Sequence, residues 1–283
     1  MTRLSARLAL FAVATLSACA TPPAMVAEAL PIYEVHAVRY ATLVGYPTRW
    51  LVQGADSSRT TDGAMMVWLL RGGDRTVLVD AGFYRDAFVQ GYDFEGYRRP
   101  TEALAALGVT PESVTDVVVT HVHWDHVGGA DLFPNARVWI QRDEFDHHVG
   151  PDGEALDEAI APVHAAMLAR LRSEGRVRLV EGDDQEILPG IRAYTGGRHT
   201  HASQYVGVRT RSGTVVVASD NVYLYENLDR HVPIGATLDA EANLAAQDRM
   251  RTLAAEERLI VPGHDAAVFE RFATLGADVA RID

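Results

Sequence analysis

Cysteine is nearly absent from this 283-residue chain, which holds a single copy at Cys19. One cysteine excludes an internal disulfide, so any metal site must be built from histidine and carboxylate side chains. Basic patches are lacking as well, since the formal charge is −12 and no stripe of positive residues stands out. This charge balance predicts no binding to nucleic acid. With 48% hydrophobic residues, the chain can still bury a sizeable core.

Long apolar runs are also missing, because the run Leu8–Leu16 is too short to span a bilayer. It follows Arg3 and Arg7 and precedes small residues, which is the layout of a secretory signal. Residues 16–19 resemble the bacterial lipoprotein box, in which the cysteine is lipidated. We therefore predict a signal peptide over 1–18, a tether over 19–32, and export to the periplasm or cell surface. A lipid on Cys19 would hold the protein to the outer membrane as its only membrane contact. An ordinary signal peptide with an incidental cysteine is the alternative.

Short strand patterns and helical patterns alternate along residues 33–283, and no linker divides them. Strand pairs come first, then helices alternate with strands, and this order repeats in the second half. The longest helical patterns cover Glu154–Leu171 and Ala240–Glu256. We predict one α/β domain, a sandwich with sheets inside and helices outside.

Two stretches, residues 49–63 and 82–99, are long and poorly periodic, which is typical of functional loops. The second is rich in aromatic residues and either lines a pocket or packs on itself. Its aromatic residues are Phe83, Tyr84, Phe88, Tyr92, Phe94 and Tyr97. The adjacent His147 and His148 follow a strand in a polar stretch, and we expect both to be solvated.

The stretch THVHWDHVGG, residues 120–129, holds three histidines and an aspartate within six positions. A β-branched run leads into it, and the strand period of two places His121 and His123 on the same side. Asp125 and His126 follow at a turn. This ligand set suits zinc, iron, manganese or cobalt better than calcium or magnesium, which prefer oxygen.

Further ligand candidates come where other apolar strands reach a turn. These are His199 or His201 after residues 191–195, Asp220 after 214–218, and His264 after 259–261. An aspartate after a strand is ordinarily a cap or turn residue. Strand ends at one edge of a sheet converge in space, so together with the first cluster these positions predict a shared metal centre.

With these residues the sequence resembles the metallo-β-lactamase superfamily. His121, His123, Asp125 and His126 stand as its H-x-H-x-D-H motif, and the later candidates stand where its other ligands come. The resemblance covers roughly residues 33–275 and implies an αββα sandwich with two divalent metal ions, zinc or else iron, manganese or cobalt, at the sheet edge. The implied ligands are His121, His123 and His199 for one ion and Asp125, His126 and His264 for the other, with Asp220 bridging. Asp80 is implied to support the metal loop without binding metal.

Within the superfamily the sequence is most similar to the N-acyl-homoserine lactonases. The stretch QRDEF, 141–145, resembles their QRxEY, and Tyr223 stands where they place a tyrosine against the lactone carbonyl. The resemblance implies a hydrolase that opens a small lactone or ester through a hydroxide bridging the metals, with Asp125 passing a proton to the leaving group. Two features depart from the pattern: GGRHTHASQ leaves His201 competing with His199, and Trp124 stands inside the metal motif.

Other functions remain open at this level. Asp220 argues against a β-lactamase, and a glyoxalase II-like thioesterase would want a basic patch, for which Arg249 and Arg251 are the nearest candidates. A phosphodiesterase is a further possibility on the same fold. An iron-dependent redox enzyme is disfavoured by His123, where the superfamily's di-iron reductases carry glutamate. A non-catalytic surface lipoprotein is disfavoured by the complete ligand set.

Overall fold

The computed structural model describes residues 30–283. The predicted signal peptide, Cys19 and most of the tether lie outside this range, so export and lipid anchoring stay predictions. Among the described residues, every helix is too short or too polar to cross a membrane. The folded part begins within the predicted domain boundary, since Tyr33 is buried and the first strand starts at Glu34.

Strands and short helices alternate over most of residues 34–281. The strands are β1 (Glu34–Pro47), β2 (Thr60–Gly72), β3 (Arg75–Val79), β4 (Phe94–Glu95), β5 (Asp116–Val118), β6 (Arg137–Gln141), β7 (Val177–Val180), β8 (Gln185–Leu188), β9 (Ile191–Thr195), β10 (Gln204–Thr210), β11 (Gly213–Ser219), β12 (Ile260–Pro262), β13 (Ala273–Thr274) and β14 (Val279–Arg281). The α-helices are α1 (Thr48–Leu51), α2 (Asp86–Val89), α3 (Pro100–Ala105), α4 (Trp124–Val127), α5 (Arg142–His148), α6 (Pro162–Ser173), α7 (Tyr225–Arg230), α8 (Ala240–Leu253) and α9 (Val268–Arg271).

The helix predicted over Glu154–Leu171 begins later than expected, at Pro162. A proline is well suited to the first helical position, because its missing N–H would have no intrahelical partner there. Residues 151–161 form a loop instead. This loop matters below because part of it walls the cavity beside the metal centre.

The strands form two sheets. The larger sheet has the order β13-β14-β1-β2-β3-β5-β6-β7, with β4 paired to β1, and the smaller sheet has the order β12-β11-β10-β9-β8. In the larger sheet the pairs β3–β5, β5–β6 and β6–β7 are parallel, and in the smaller sheet β11 and β12 are parallel. The remaining pairs are antiparallel, and most of them join strands that follow one another in the chain.

Side chains alternate across the larger sheet and so create two cores. On β3, Val77 and Val79 belong to the core shared with the smaller sheet, whereas Leu78 between them faces the core shared with α3 and α6. The strand period of two explains this alternation, and burial on both faces explains why β3 reads as a continuous apolar run. Helix α8 packs on the outer face of the smaller sheet. The layers are therefore helix, sheet, sheet and helix, and the predicted αββα sandwich is confirmed.

The carboxyl ends of β3, β5, β9, β11 and β12 reach one edge of the sandwich. The segments that leave these ends begin at Asp80, Val119, Gly196, Asp220 and Gly263. Since strands that share a direction end at the same edge, residues far apart in sequence meet there. The loops at this edge carry every ligand candidate from the sequence, and the loop after β9 carries both His199 and His201.

Candidate metal centre

Three histidines and one aspartate direct their ligand atoms toward one point at this edge. His123 Nδ1 lies 3.1 Å from His121 Nε2 and 2.9 Å from His199 Nε2. Asp220 Oδ2 lies 3.4 Å from His199 Nε2 and 3.7 Å from His121 Nε2. Ligand atoms around a tetrahedral metal with bonds of about 2.0 Å are about 3.3 Å apart, so these spacings match a single ion.

A second group stands beside the first and shares Asp220 with it. Asp220 Oδ1 lies 3.2 Å from His126 Nε2 and 3.0 Å from His264 Nε2. Asp125 Oδ2 lies 3.4 Å and 3.7 Å from the same two nitrogens. Asp220 therefore turns one carboxylate oxygen toward each group, which is the geometry of a bridging ligand.

The residues of the centre fit divalent cations. His126 Nε2 and Asp220 Oδ1 are buried and have no hydrogen-bond partner among the described residues. A buried polar atom without a partner costs about 1–3 kcal/mol, and a cation between the two groups removes that cost. The two sets of converging nitrogen and oxygen atoms can each hold one ion, and nitrogen with carboxylate oxygen is a donor set that zinc, iron, manganese and cobalt accept.

The second nitrogen of four of these histidine rings is held by a partner behind the centre. Such outer contacts fix the orientation of a ligating ring and the tautomer that presents a lone pair to metal. The contacts are His121 Nδ1 to Thr120 Oγ1 (3.0 Å), His126 Nδ1 to Asp80 Oδ2 (2.8 Å), His199 Nδ1 to the Ala236 carbonyl (2.8 Å) and His264 Nδ1 to the Ala64 carbonyl (3.1 Å).

Asp80 lies behind the centre, where the resemblance implied a supporting role. It is fully buried, and its carboxylate accepts hydrogen bonds from the backbone N–H and hydroxyl of Thr120 and from the hydroxyl of Ser219. It also contacts the outer nitrogen of His126. One carboxylate thus joins the ends of β3, β5 and β11 directly beneath the second group.

Strained backbone is concentrated at the same place. Asp80, Arg198 and Ser219 have φ values of 61°, 52° and 47°, in the left-handed region that costs a non-glycine residue about 1–3 kcal/mol. Arg198 and Ser219 immediately precede the ligand candidates His199 and Asp220. The surrounding structure therefore holds the backbone in energetically costly conformations directly before residues whose side chains point into the metal centre.

The two groups differ in how their histidines bind protons. Burial, together with neighbouring imidazoles, lowers the pKa of His121 well below its usual value and that of His123 to about 4. Burial acts the same way on His126 and His264, but the nearby carboxylates, chiefly Asp220 and Asp125, together outweigh burial and raise both pKa values. Metal ligation requires neutral imidazole, so an ion entering the second group must displace protons.

The structure places His199, and not His201, in the centre. His199 is buried within the first group, whereas His201 lies outside it and stacks on His147 with ring centroids 3.8 Å apart. The loop that carries them runs close to the Asp220 segment. A side chain at Gly197 would collide with Asn221, so only glycine permits this approach.

A cavity of about 370 Å³ opens onto both groups. Apolar and aromatic side chains form most of its wall, and the first part of the chain supplies many of them. Its walls include Leu43, Tyr46, Leu51, Met65, Trp124 and Tyr223. Leu51 comes from the stretch 49–63, which we predicted as a functional loop. Nothing in the sequence around β1 or Met65 indicates that these residues reach the site.

Tyr223 is buried beside the first group, with its hydroxyl 3.4 Å from Nδ1 and from Nε2 of His199. Burial raises the pKa of this phenol well above its usual value, and the carboxylates of Asp220 and Asp125 raise it further. The hydroxyl therefore keeps its proton at neutral pH and can donate a hydrogen bond into the cavity.

Trp124 is held by the aromatic loop 82–99. Its ring stacks between Tyr92 and Phe88, at centroid distances of 4.9 Å and 5.5 Å, and meets Phe83 edge-on at 4.7 Å. Tyr92 also lines the cavity, while Phe83 is buried in the core. Both interpretations of the loop are therefore correct: it packs on its own aromatic residues and it contributes to the pocket wall.

Replacing Trp124 with alanine should lower the free energy of unfolding by about 2–4 kcal/mol. The change removes the contacts of Trp124 with four aromatic rings of loop 82–99 and opens a gap beneath that loop. Urea unfolding would measure the effect. Trp50 is the matched control, because it is 48% exposed and its alanine variant should change the stability by about 0.5 kcal/mol or less. Equal losses in the two variants would contradict a structural role for the aromatic stack.

Comparison with known proteins agrees with this geometry. The family model of the metallo-β-lactamase superfamily matches residues 60–264. An N-acyl homoserine lactonase from Bacillus cereus is 30% identical over 230 residues, which cover 74% of this chain and 86% of the relative. An N-acyl homoserine lactonase from Agrobacterium fabrum is 27% identical over 169 residues, covering 55% of this chain and 60% of that protein.

Solved structures show the same fold. The crystal structure of a quorum-quenching N-acyl homoserine lactone lactonase superposes with a TM-score of 0.71 at 21% identity, covering 86% of this chain and 97% of the other. An N-acyl homoserine lactone hydrolase, with the product N-hexanoyl-L-homoserine bound at its catalytic metal centre, superposes with a TM-score of 0.70 at 22% identity, covering 86% and 98%. This chain belongs to the metallo-β-lactamase superfamily.

Proposed function

We propose that this metal-dependent hydrolase opens the lactone ring of N-acyl homoserine lactones, with two zinc ions in its centre. The observation that carries the proposal is the chemistry of the cavity. None of the described residues that line it is an arginine, and the whole chain contains no lysine. The walls that surround the centre therefore suit a substrate without negative charge, such as a lactone ring with an acyl chain.

The cavity also suits such a substrate in size and polarity. Its volume of about 370 Å³ lies within the range of about 300–1,000 Å³ that is usual for small-molecule sites. Apolar walls from Leu43, Leu51, Met65 and Trp124 can cover an acyl chain. The bound product of the similar lactone hydrolase, N-hexanoyl-L-homoserine, has this combination of a polar head and an alkyl tail.

The chain's own residues supply distinct parts of the reaction. Divalent ions held by the two groups would acidify a water molecule and polarise the substrate carbonyl. Tyr223 donates its phenolic proton as a hydrogen bond to the carbonyl oxygen, where negative charge develops during attack. Asp125 lies at the mouth of the second group. Its carboxylate can take up the proton that the attacking water gives up and pass that proton to the alkoxide oxygen that leaves when the ring opens.

The competing hydrolase functions require substrates with negative charge. A glutathione thioester carries carboxylates, a β-lactam carries one, and a phosphodiester is itself an anion. Arg249 and Arg251, the nearest candidates for binding such groups, instead pair with Asp183 and Glu257 and do not line the cavity. A carboxylate on a thioester or β-lactam substrate would find no side-chain cation on the cavity wall, which costs binding energy. The charge of a phosphodiester lies at the reacting group, where metal ions would neutralise it, so the substrate panel must separate that case.

A substrate panel on zinc-loaded protein tests the proposal. We expect kcat/KM for N-hexanoyl homoserine lactone to exceed the values for nitrocefin, S-lactoylglutathione and bis-p-nitrophenyl phosphate by about 10–100-fold or more. A simple aryl ester reports whether hydrolysis extends beyond lactones. A chelator should remove the activity and added zinc should restore it. The highest kcat/KM on one of the anionic substrates would overturn the lactone assignment.

A further inference from the structure

Glu144 is a fully buried carboxylate that lies outside the seven ligand candidates. It stands in the first turn of α5, which leaves the carboxyl end of β6. Oε1 accepts hydrogen bonds from the Thr200 hydroxyl (2.6 Å) and the Val122 N–H (3.2 Å), and Oε2 accepts one from the Ala202 N–H (2.7 Å). Every one of these donors comes from a segment that carries ligand candidates.

The positions of the donors show what Glu144 joins. Val122 lies between His121 and His123 in the chain, and Thr200 directly follows His199. One carboxylate therefore ties the first metal segment to the third-ligand loop, and these two segments supply all three histidines of the first group. No strand pairing joins the two segments at this point, because β5 and β9 belong to different sheets. A backbone hydrogen bond from the Gln204 N–H to the Thr120 carbonyl is a second link between them.

His148 lies one helical turn beyond Glu144, and the prediction that it is solvated is wrong. Only 2% of it is exposed, because it is enclosed between two carboxylates, while its neighbour His147 is exposed as predicted. His148 Nδ1 lies 2.8 Å from Asp157 Oδ2, and its Nε2 lies 3.7 Å from Glu144 Oε2 as an ion pair. The sequence offered no sign of this because Asp157 comes from the loop that was predicted as a helix.

The three residues support one another's charges. Burial lowers the pKa of His148, but Glu144 and Asp157 outweigh burial and raise it above the usual value. Burial raises the pKa of Glu144, but the contacts with His148, Thr200 and Ala202 outweigh burial and lower it. Asp157 also accepts a hydrogen bond from the Ala159 N–H, and Ala159 lines the cavity. The chain of contacts thus runs from the metal segments to the pocket wall.

We propose that Glu144 is a positioning residue for the three-histidine half of the metal centre, with His148 and Asp157 holding it in place. Asp80 serves the other half, where it joins His126 to the ends of β5 and β11. The inference concerns how the chain holds metal and does not depend on which substrate is hydrolysed. Hydrogen bonds to a carboxylate are about twice as strong as those between neutral groups, so Glu144 can define the distance between the two segments.

The test measures metal binding without substrate. The metal-free full chain of Glu144→Gln is titrated with Co²⁺, whose visible absorption reports each ion as it binds. Glutamine is nearly isosteric with glutamate. Its NH₂ group, however, is a donor and would replace a carboxylate oxygen that accepts hydrogen bonds from a backbone N–H or from the Thr200 hydroxyl. We expect the affinity for one of the two equivalents to fall by about 10–100-fold while the other equivalent binds as in the parent.

Two milder substitutions at Thr200 test the positioning role of Glu144 even if Glu144→Gln does not fold. Thr200→Val removes the 2.6 Å hydrogen bond without changing charge or size, and we expect the same equivalent to bind more weakly. Thr200→Ser keeps the hydroxyl and should restore the parent affinity. If this hydrogen bond only stabilises the fold, both Thr200 variants should lose stability, and in neither variant should one Co²⁺ equivalent weaken more than the other.

Asp143→Asn is the matched control, since Asp143 is exposed and neighbours Glu144 on the same helix. It removes the same charge and should bind both Co²⁺ equivalents as the parent does. The proposal is overturned if Thr200→Val retains parent affinity for both equivalents, or if Asp143→Asn shows the same selective loss as Glu144→Gln.

Discussion

Replacing Asp220 with alanine should reduce kcat/KM by about 10³-fold or more. Its two oxygens face both groups of the centre, at 3.0–3.7 Å from four histidine nitrogens. Without these oxygens the two ion sites no longer share a ligand, and each site has one ligand fewer. A metal ion contributes several kcal/mol to transition-state stabilisation, and each 1.4 kcal/mol is about tenfold in rate.

The measurement combines kinetics with metal content. Asp220→Ala should lose turnover and bind fewer than two zinc ions per chain by elemental analysis. Asp229→Ala is a suitable control, because Asp229 is exposed on α7 and touches only Arg271 among the described charged groups. We expect that control to keep parent activity and two ions. Full activity in Asp220→Ala would exclude a mechanism that uses both metals.

The αββα fold and the place of the metal centre were predictable because they follow from local rules. Periodicity identified the strands, and the strand before His121 placed the motif at a strand end. His264 and Asp220 were found by the same reasoning, since each follows an apolar strand. Strands that run in one direction end at one edge of a sheet. The convergence of the ligand candidates was therefore predictable although some of them lie more than a hundred residues apart in the sequence.

The walls of the cavity and the supports of the centre were not predictable in this way. Met65 reads as a core residue, and only the tertiary fold shows that it faces the ligands together with Leu51 from the stretch 49–63. The resemblance favoured His199 over His201, but the backbone that places His199 in the centre is visible only in the structure. It has a left-handed residue at Arg198 and passes close to Asn221. Such features arise from contacts between distant segments and leave no periodic signal.

Glu144 shows where a sequence signal existed but lacked a physical interpretation. The stretch QRDEF contributed to the family resemblance, yet nothing in its spacing indicates what its glutamate contacts. In the structure, Gln141 of the same stretch donates a hydrogen bond to Gln204, which in turn binds the carbonyl of Val119. The stretch therefore acts as a brace that joins the two sheets beneath the first metal group.

Replacing Tyr223 with phenylalanine should lower kcat for lactone opening by about 10²–10³-fold, which is the usual effect of removing one donor to a developing oxyanion. The ring remains, so its packing against His199 and His264 is kept and the zinc content should stay at the parent value. The KM should change little, because the donor matters most when charge has moved onto the carbonyl oxygen.

Tyr46 provides the control within the same cavity, since it also lines the wall and carries a phenol. Its hydroxyl is not in contact with the ligand histidines, and burial raises its pKa as it does for Tyr223. We expect Tyr46→Phe to lose less than about tenfold in kcat. Steady-state kinetics of both variants with N-hexanoyl homoserine lactone show which of the two tyrosines donates the hydrogen bond to the carbonyl oxygen. A larger loss in Tyr46→Phe than in Tyr223→Phe would assign the carbonyl donor to Tyr46, and the position of Tyr223 beside His199 would then serve packing alone.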